Sequence, residues 1–351
     1  MGPDSNPPPK NILIVRQDNI GDLVCTLPLI AGLRHTFPNA SIEVLCTSYN
    51  RAILAGNPHV DAVHTYAKRA HHSTTFALIA GSLEKVLLIA KLRRRRFDVA
   101  IAASTPSRPR IASLIRMIRP ATFIRSEESG DSAEIVPEAS LAGKHEVERC
   151  WALGQRLGIT GQPQAASIFP DPARLASLAN TVLAGFPPHP RRRFVAVHIS
   201  SRKPSQRWPA ASFAAALRLL HTADPSLHFV ILWAPGPANA RGHEGDDQKA
   251  AELAGLLGDS IPAIFRQTPD LRDTIDAIAS CRAFIGSDGG AMHVAAACGI
   301  PAIALFGASD ATRWHPWAVP HEVLQPPSKN VHDVSPSQVA ASLLRATAHS
   351  I

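Results

Sequence analysis

Aromatic residues make up only 5% of the 351-residue chain, and they are not interleaved with its cations. A surface that stacks bases needs that interleaving, so a nucleic-acid partner is not expected. Cysteine is scarce as well. Cys25, Cys46, Cys150, Cys281 and Cys298 lie far apart in apolar segments, and no C-x-x-C pair occurs. That pattern fits small core residues in a reducing compartment, not a disulfide framework. The histidines never take H-E-x-x-H spacing, and with no cluster of ligating residues no metal is expected. No apolar run approaches the ~18 residues of a membrane span. The lead, residues 1–10, is polar and proline-rich; it is expected to be disordered and lacks the apolar region of a signal peptide. Neither a G-x-G-x-x-G fingerprint nor a P-loop is present. The expectation is a cytoplasmic protein, at most peripheral to a membrane.

What the chain does have is length for two domains and an apolar fraction of 45% to fill two cores. Its 36 lysines and arginines outnumber 28 acidic residues, for a net charge of +8. Such a balance points to an anionic partner, either an acidic membrane surface or a phosphorylated substrate.

The most informative stretch runs from Phe284 to Trp317. An apolar run ends at Ile285, and Gly286-Ser287-Asp288-Gly289-Gly290 turns the chain into a helical pattern over Ala291–Cys298. Gly299 stops that helix, and Pro301–Phe306 reads as a second buried strand. Gly289 and Gly290 let a ligand approach the backbone, and the free N–H groups of a helix start favour phosphate. His293 lies one turn in. Pro316 and Pro320 suggest an ordered loop beyond the strand. A packed turn without a ligand is an equally good reading of the glycine pair alone.

The first half opens with a strand, Asn11–Arg16, then a Gly-containing loop, a helical pattern from Val24 to Leu33, and a second strand, Ile42–Cys46. Asp22 falls at the strand's C-terminal end, where open α/β sheets bind ligands. It is either a carboxylate satisfying helix N–H groups or an acid/base residue, and Asp18 competes for the second role. Leu83–Arg96 is helical, with an apolar stripe and a strongly basic end. It reads either as a face meeting an anionic membrane or acceptor lipid, or as an ordinary core-facing helix with a solvated end. Arginines between 104 and 144 line an acceptor groove or are surface charge. His145–Arg149 opens a further helix.

Six prolines between 163 and 190 mark a linker, with one short helix inside. Phe194–Ile199 is a strand leading to Ser200-Ser201-Arg202-Lys203-Pro204-Ser205-Gln206-Arg207. Hydroxyls and cations there suit a diphosphate; a solvated loop is the alternative. After the strand Phe229–Trp233, the loop Gly242–Asp247 is placed for a nucleobase or ribose. A last helix starts at Ser335-Pro336.

These motifs, in this order, resemble glycosyltransferase family nine, the ADP-heptose:lipopolysaccharide heptosyltransferases. The matching pieces are Arg16 with Ile20-Gly21-Asp22 and Thr26-Leu27-Pro28, then Asn57-Pro58-His59-Val60-Asp61 and the His145 helix start. They continue with Trp208-Pro209, Asp288-Gly289-Gly290 through His293, Gly299-Ile300-Pro301, Phe306-Gly307, and Trp314-His315-Pro316. Two departures stand out: Gly289 replaces a usual Thr, and Gln206 replaces a usual Lys. The resemblance implies an α/β protein of GT-B type, with two Rossmann-like domains whose parallel sheets face across a cleft. Residues 11–165 would bind the acceptor and 194–330 the nucleotide sugar, with 166–193 as linker. Residues 331–351 form a final helix that is a candidate to return to the first domain.

By the same resemblance the reaction is inverting transfer of heptose from ADP-heptose to the inner core of lipopolysaccharide. Asp22 is the implied base, and Arg16 and Asp18 the acceptor side. The donor site would comprise Ser200, Ser201, Lys203, Arg207, Asp288, Gly289, Gly290 and His293. No obligatory cofactor or metal is implied. The implied partners are ADP-heptose and an anionic lipid-linked core oligosaccharide at the cytoplasmic face of the inner membrane. The alternatives are a transferase or epimerase using another nucleotide sugar, and a non-catalytic nucleotide-sugar-binding protein.

Overall fold

The computed structural model describes residues 7–66, 75–128, 132–182, 194–237 and 245–348. The chain divides into two compact units, 1–164 and 165–351. The first contains β1 (Asn11–Val15), α1 (Ile20–Val24), α2 (Leu27–Thr36), β2 (Ser41–Thr47), β3 (Ala62–Tyr66), α3 (Thr75–Arg94) and β4 (Val99–Ala102). It continues with α4 (Pro109–Ile118), β5 (Thr122–Glu127), β6 (Ile135–Pro137) and α5 (Glu146–Gln155). The second unit starts with α6 (Pro172–Val182), β7 (Phe194–His198), α7 (Ala210–Ala223), β8 (His228–Trp233), α8 (Asp247–Leu257) and β9 (Ala263–Gln267). After these come α9 (Leu271–Ala279), β10 (Ala283–Ser287), α10 (Gly290–Ala297), β11 (Ala302–Leu305), α11 (Ala311–Trp314), β12 (His321–Leu324) and α12 (Pro336–Ala348).

Each unit is built on a six-stranded sheet, ordered β3-β2-β1-β4-β5-β6 in one and β12-β11-β10-β7-β8-β9 in the other. Every pairing is parallel. Numbered within its own unit, the second sheet repeats the order of the first. Both are Rossmann-like, and both reverse their winding at one point: between β1 and β4, and between β7 and β10. Ligands of open parallel sheets sit outside the strand C-termini at that reversal. The sequence supports the arrangement locally. The central strands β1, β4, β7 and β10 are apolar runs, almost wholly buried, as a sheet covered on both faces requires.

β9 and β12 are only partly buried and carry charged residues, so no apolar run marks them. β12 occupies chain that was expected to be loop after Pro316 and Pro320, and the short α11 precedes those prolines. The basic helix begins at Thr75, well before the expected Leu83.

Two domain assignments change. The region expected to be linker supplies α6 to the second unit, and the Ile168 amide donates to Ala297 at 3.2 Å. Arg174 on α6 reaches Asp276 of α9 at 2.6 Å. The last helix was a candidate to return to the first domain. Instead Val339, Ala340 and Leu343 of α12 are buried in the second unit's own core, with Leu217 and Leu220 of α7. Three expectations reach outside the described residues: the disordered lead (1–6), part of the linker (183–193), and the ribose loop at Gly242, His243 and Glu244.

Candidate active site

At the β1–β4 reversal the organising group is a buried guanidinium. Arg16 follows β1 and is 1% exposed. Its Nη2 donates to Asp22 at 2.6 Å and to Glu146 at 2.8 Å, and its Nε lies 3.2 Å from Asp18. Nη1 donates to the Ala103 carbonyl at the end of β4. A charge buried this deeply is tolerable only when it is paired and hydrogen-bonded on every side. The three carboxylates come from the β1–α1 loop, α1 and the first turn of α5, so one arginine ties three elements together. Asp22 sits at the third position of α1 and also accepts from the Asn19 amide at 3.0 Å. Burial alone would raise its carboxyl. The charge and hydrogen bond of Arg16, with the Asn19 contacts, outweigh burial and hold it below the ordinary value. Asp18 moves the other way. Burial and the neighbouring Asp22 raise it, against the pull of Arg16 and Arg108. The Asp22 side chain is 13% exposed and that of Asp18 3%, so Asp22 is the more accessible.

At the β7–β10 reversal two loops and a helix start meet. β10 ends at Ser287, whose hydroxyl donates to the Gln206 carbonyl at 2.5 Å. Gly289 caps α10 with extended backbone, and the helix begins at Gly290. Gln206 is 3% exposed in the short 3-10 turn Pro204–Gln206. Its amide donates to Asp288 at 2.6 Å and to Ser309 at 2.7 Å, while Ser201 donates to its carbonyl oxygen at 3.3 Å. Lys203 donates to the same Ser309 at 3.0 Å. Arg207 donates to the Ser201 carbonyl at 2.9 Å, and Ser200 accepts from the Ala234 amide at 3.0 Å. His293 is 4% exposed, with its ring edge-on to Trp314 at 6.0 Å. The result is a polar rim of hydroxyls, amides and two cations beside the N-terminus of an eight-residue helix, an arrangement suited to an anion.

Residues 86–340 match the family model described as glycosyltransferase family 9 (heptosyltransferase). The chain belongs to this glycosyltransferase family. It is 25% identical over 315 residues to lipopolysaccharide heptosyltransferase 3 of Escherichia coli, covering 85% of this chain and 84% of that one. In fold it is similar to the E. coli ADP-heptose lipopolysaccharide heptosyltransferase II, with a TM-score of 0.74 at 20% identity over 97% and 99% of the two chains. An E. coli heptosyltransferase solved with ADP-2-deoxy-2-fluoro heptose gives a TM-score of 0.71 at 18% identity over 95% and 99%. The paired Rossmann-like units are thus the GT-B architecture of solved heptosyltransferases.

For this glycosyltransferase the structure groups the named residues in two sets. Arg16, Asp18 and Asp22 form one. Ser200, Ser201, Lys203, Arg207, Asp288, Gly289, Gly290 and His293 lie around the strand ends of the other. Arg16 is buried, and its Nη1 and Nη2 donors are turned onto Ala103, Cys150, Asp22 and Glu146 of the protein itself. Several residues escaped the sequence reading. Glu146 is wholly buried and holds Arg16. Arg149 in turn donates to Thr105 at 2.9 Å and pairs with Glu138. The His145-to-Arg149 helix start was the available signal. Lys249, in the first turn of α8, donates to the Ile199 carbonyl at 2.7 Å and lies 5.2 Å from the Phe213 ring centre. Burial lowers its ammonium to about 8, against the pull of Asp246 and with repulsion from Arg207. Nothing in its sequence surroundings marks that lysine.

Proposed function

We propose that this protein transfers heptose from ADP-heptose to an inner-core sugar of a lipopolysaccharide acceptor, with inversion at the anomeric carbon. The observation that carries the reading is the anion-suited rim at the β7–β10 reversal in a member of the heptosyltransferase family. The ADP-heptose analogue bound to the E. coli relative supports that donor. The acceptor oxygen attacks the anomeric carbon, the bond from that carbon to the diphosphate oxygen breaks, and its electron pair leaves on ADP. The acceptor proton passes to Asp22, which is ionised and held in orientation by Arg16. Lys203 and Arg207, with the hydroxyls of Ser200 and Ser201 and the backbone N–H groups at Gly289 and Gly290, meet the charge growing on the diphosphate. No metal is required for that step. Asp288 and His293 shape the donor side. Asp18 borders the acceptor side with Arg108, while Arg16 acts through Asp22. The reaction takes place in the cytoplasm, where the acceptor is presented at the inner face of the membrane.

Titration calorimetry with ADP-heptose, GDP-sugars and UDP-sugars, followed by turnover on a core-lipid acceptor, tests the proposal. Selective binding of ADP-heptose with transfer is expected. Tighter binding of another nucleotide sugar overturns the substrate, and binding without transfer overturns the activity.

A further inference from the structure

From Leu83 onward helix α3 is apolar on two opposite faces. Leu88, Ile89 and Leu92 pack on the first unit's core, against residues such as Val15, Ala102 and Ile115. On the other side Leu83, Val86 and Leu87 are 59%, 60% and 61% exposed. At about 100° per residue these three share one stripe opposite Leu92. Lys91 and Arg93 border the stripe, and Arg94 closes its C-terminal end; all three are exposed. The stretch Leu83–Arg96 holds a single acidic residue, Glu84. A helix anchored by one face has no folding reason to present three contiguous aliphatic side chains to water on the other.

We propose that this outward face of α3 docks on an anionic phospholipid bilayer, with the helix lying in the plane of the interface. Leu83, Val86 and Leu87 enter the boundary between headgroups and acyl chains, while Lys91, Arg93 and Arg94 meet lipid phosphates. Charge favours this occupant over a second copy of the chain. A second copy would bring the same net charge of +8, whereas an anionic bilayer complements the exposed cations around the stripe. No helix among the described residues is long and apolar enough to cross a membrane, so the contact is peripheral. The inference stands apart from the donor and the reaction, and its test needs no turnover.

The test is cosedimentation of the full-length protein with vesicles of phosphatidylcholine, with and without phosphatidylglycerol. Binding to the anionic vesicles is expected, weakening with added salt. The triple variant Leu83→Ser, Val86→Ser, Leu87→Ser replaces side chains that are mostly exposed and lie outside the core cluster. It should keep its circular dichroism and bind the anionic vesicles about ten-fold more weakly. Arg93→Ala with Arg94→Ala provides a second variant if the first aggregates, and should lose about five-fold per cation removed. The proposal is overturned if the wild type ignores anionic vesicles, or if both variants bind as the wild type does. It is also overturned if the triple variant abolishes self-association of a protein that never binds vesicles.

Discussion

Asp22 and Asp18 lie on the same arginine, yet their environments push them in opposite directions. That difference separates the two candidate bases experimentally. If Asp22 takes the acceptor proton, the acid limb of the kcat/KM profile falls below the ordinary carboxylate value of 3.8. If Asp18 does, the limb lies above it. Asp22→Asn is expected to cut kcat by about 10²–10⁴-fold while ADP affinity, measured by calorimetry, stays unchanged. Lys249 makes a separate prediction. Its folded value near 8 lies below the ordinary 10.5, so between those values the unfolded chain binds more protons. Stability should therefore rise as pH increases from 8 to 10.5, because the buried ammonium loses its charge. Denaturant melts at pH 8.0 and 9.5, both within that window, should show a gain of about 1.5 kcal/mol that Lys249→Met abolishes. The spacing of Asp22 marked only a carboxylate at a strand end and helix start; its candidacy as base came from the family resemblance. Lys249 was not legible in the sequence, since its environment is made by Ile199 and Phe213, about fifty and thirty-six residues away in the chain.

Among the elements, the turn Pro204–Gln206 shows how tightly the donor rim is assembled. Gly307, after β11, packs its backbone on Ser205, and a methyl group there would overlap the Ser205 carbonyl. Backbone cannot give way as a flexible side-chain end can. Gly307→Ala should displace the turn carrying Lys203 and Gln206, weaken ADP binding about ten-fold and cost about 1–3 kcal/mol of stability. Calorimetry and a denaturant melt check both parts; unchanged ADP affinity would show that the turn is not part of the donor site. The sequence marked Phe306-Gly307 only through family resemblance, because glycine after a strand has many causes. Strand reading followed burial. β1, β4, β7 and β10 announce themselves as apolar runs, whereas β9 and β12, half-exposed at sheet edges, carry no pattern that distinguishes them from loop.

Across the whole molecule, each unit has its own sheet and its own buried cluster, so each has the means to unfold as a unit. Two calorimetric transitions are expected. ADP at a hundred times its Kd should stabilise the unit 165–351 by about 2.7 kcal/mol and raise only that transition. Hydrogen exchange gives the same answer residue by residue. Protection gained equally in both units would remove the assignment of the donor to the second.

The sequence by itself determined the class of fold and the neighbourhoods of both candidate sites. Buried parallel strands must be continuously apolar, and the turns at their ends need glycine, hydroxyls or acids. Tertiary structure alone decided the partners. It turned Arg16 inward onto Asp18, Asp22 and Glu146, made Gln206 a buried strut between Asp288 and Ser309, and gave α6 and α12 to the second core. Such contacts join residues up to 130 positions apart, as Arg16 and Glu146 are, and no local spacing encodes which distant groups must share a buried charge.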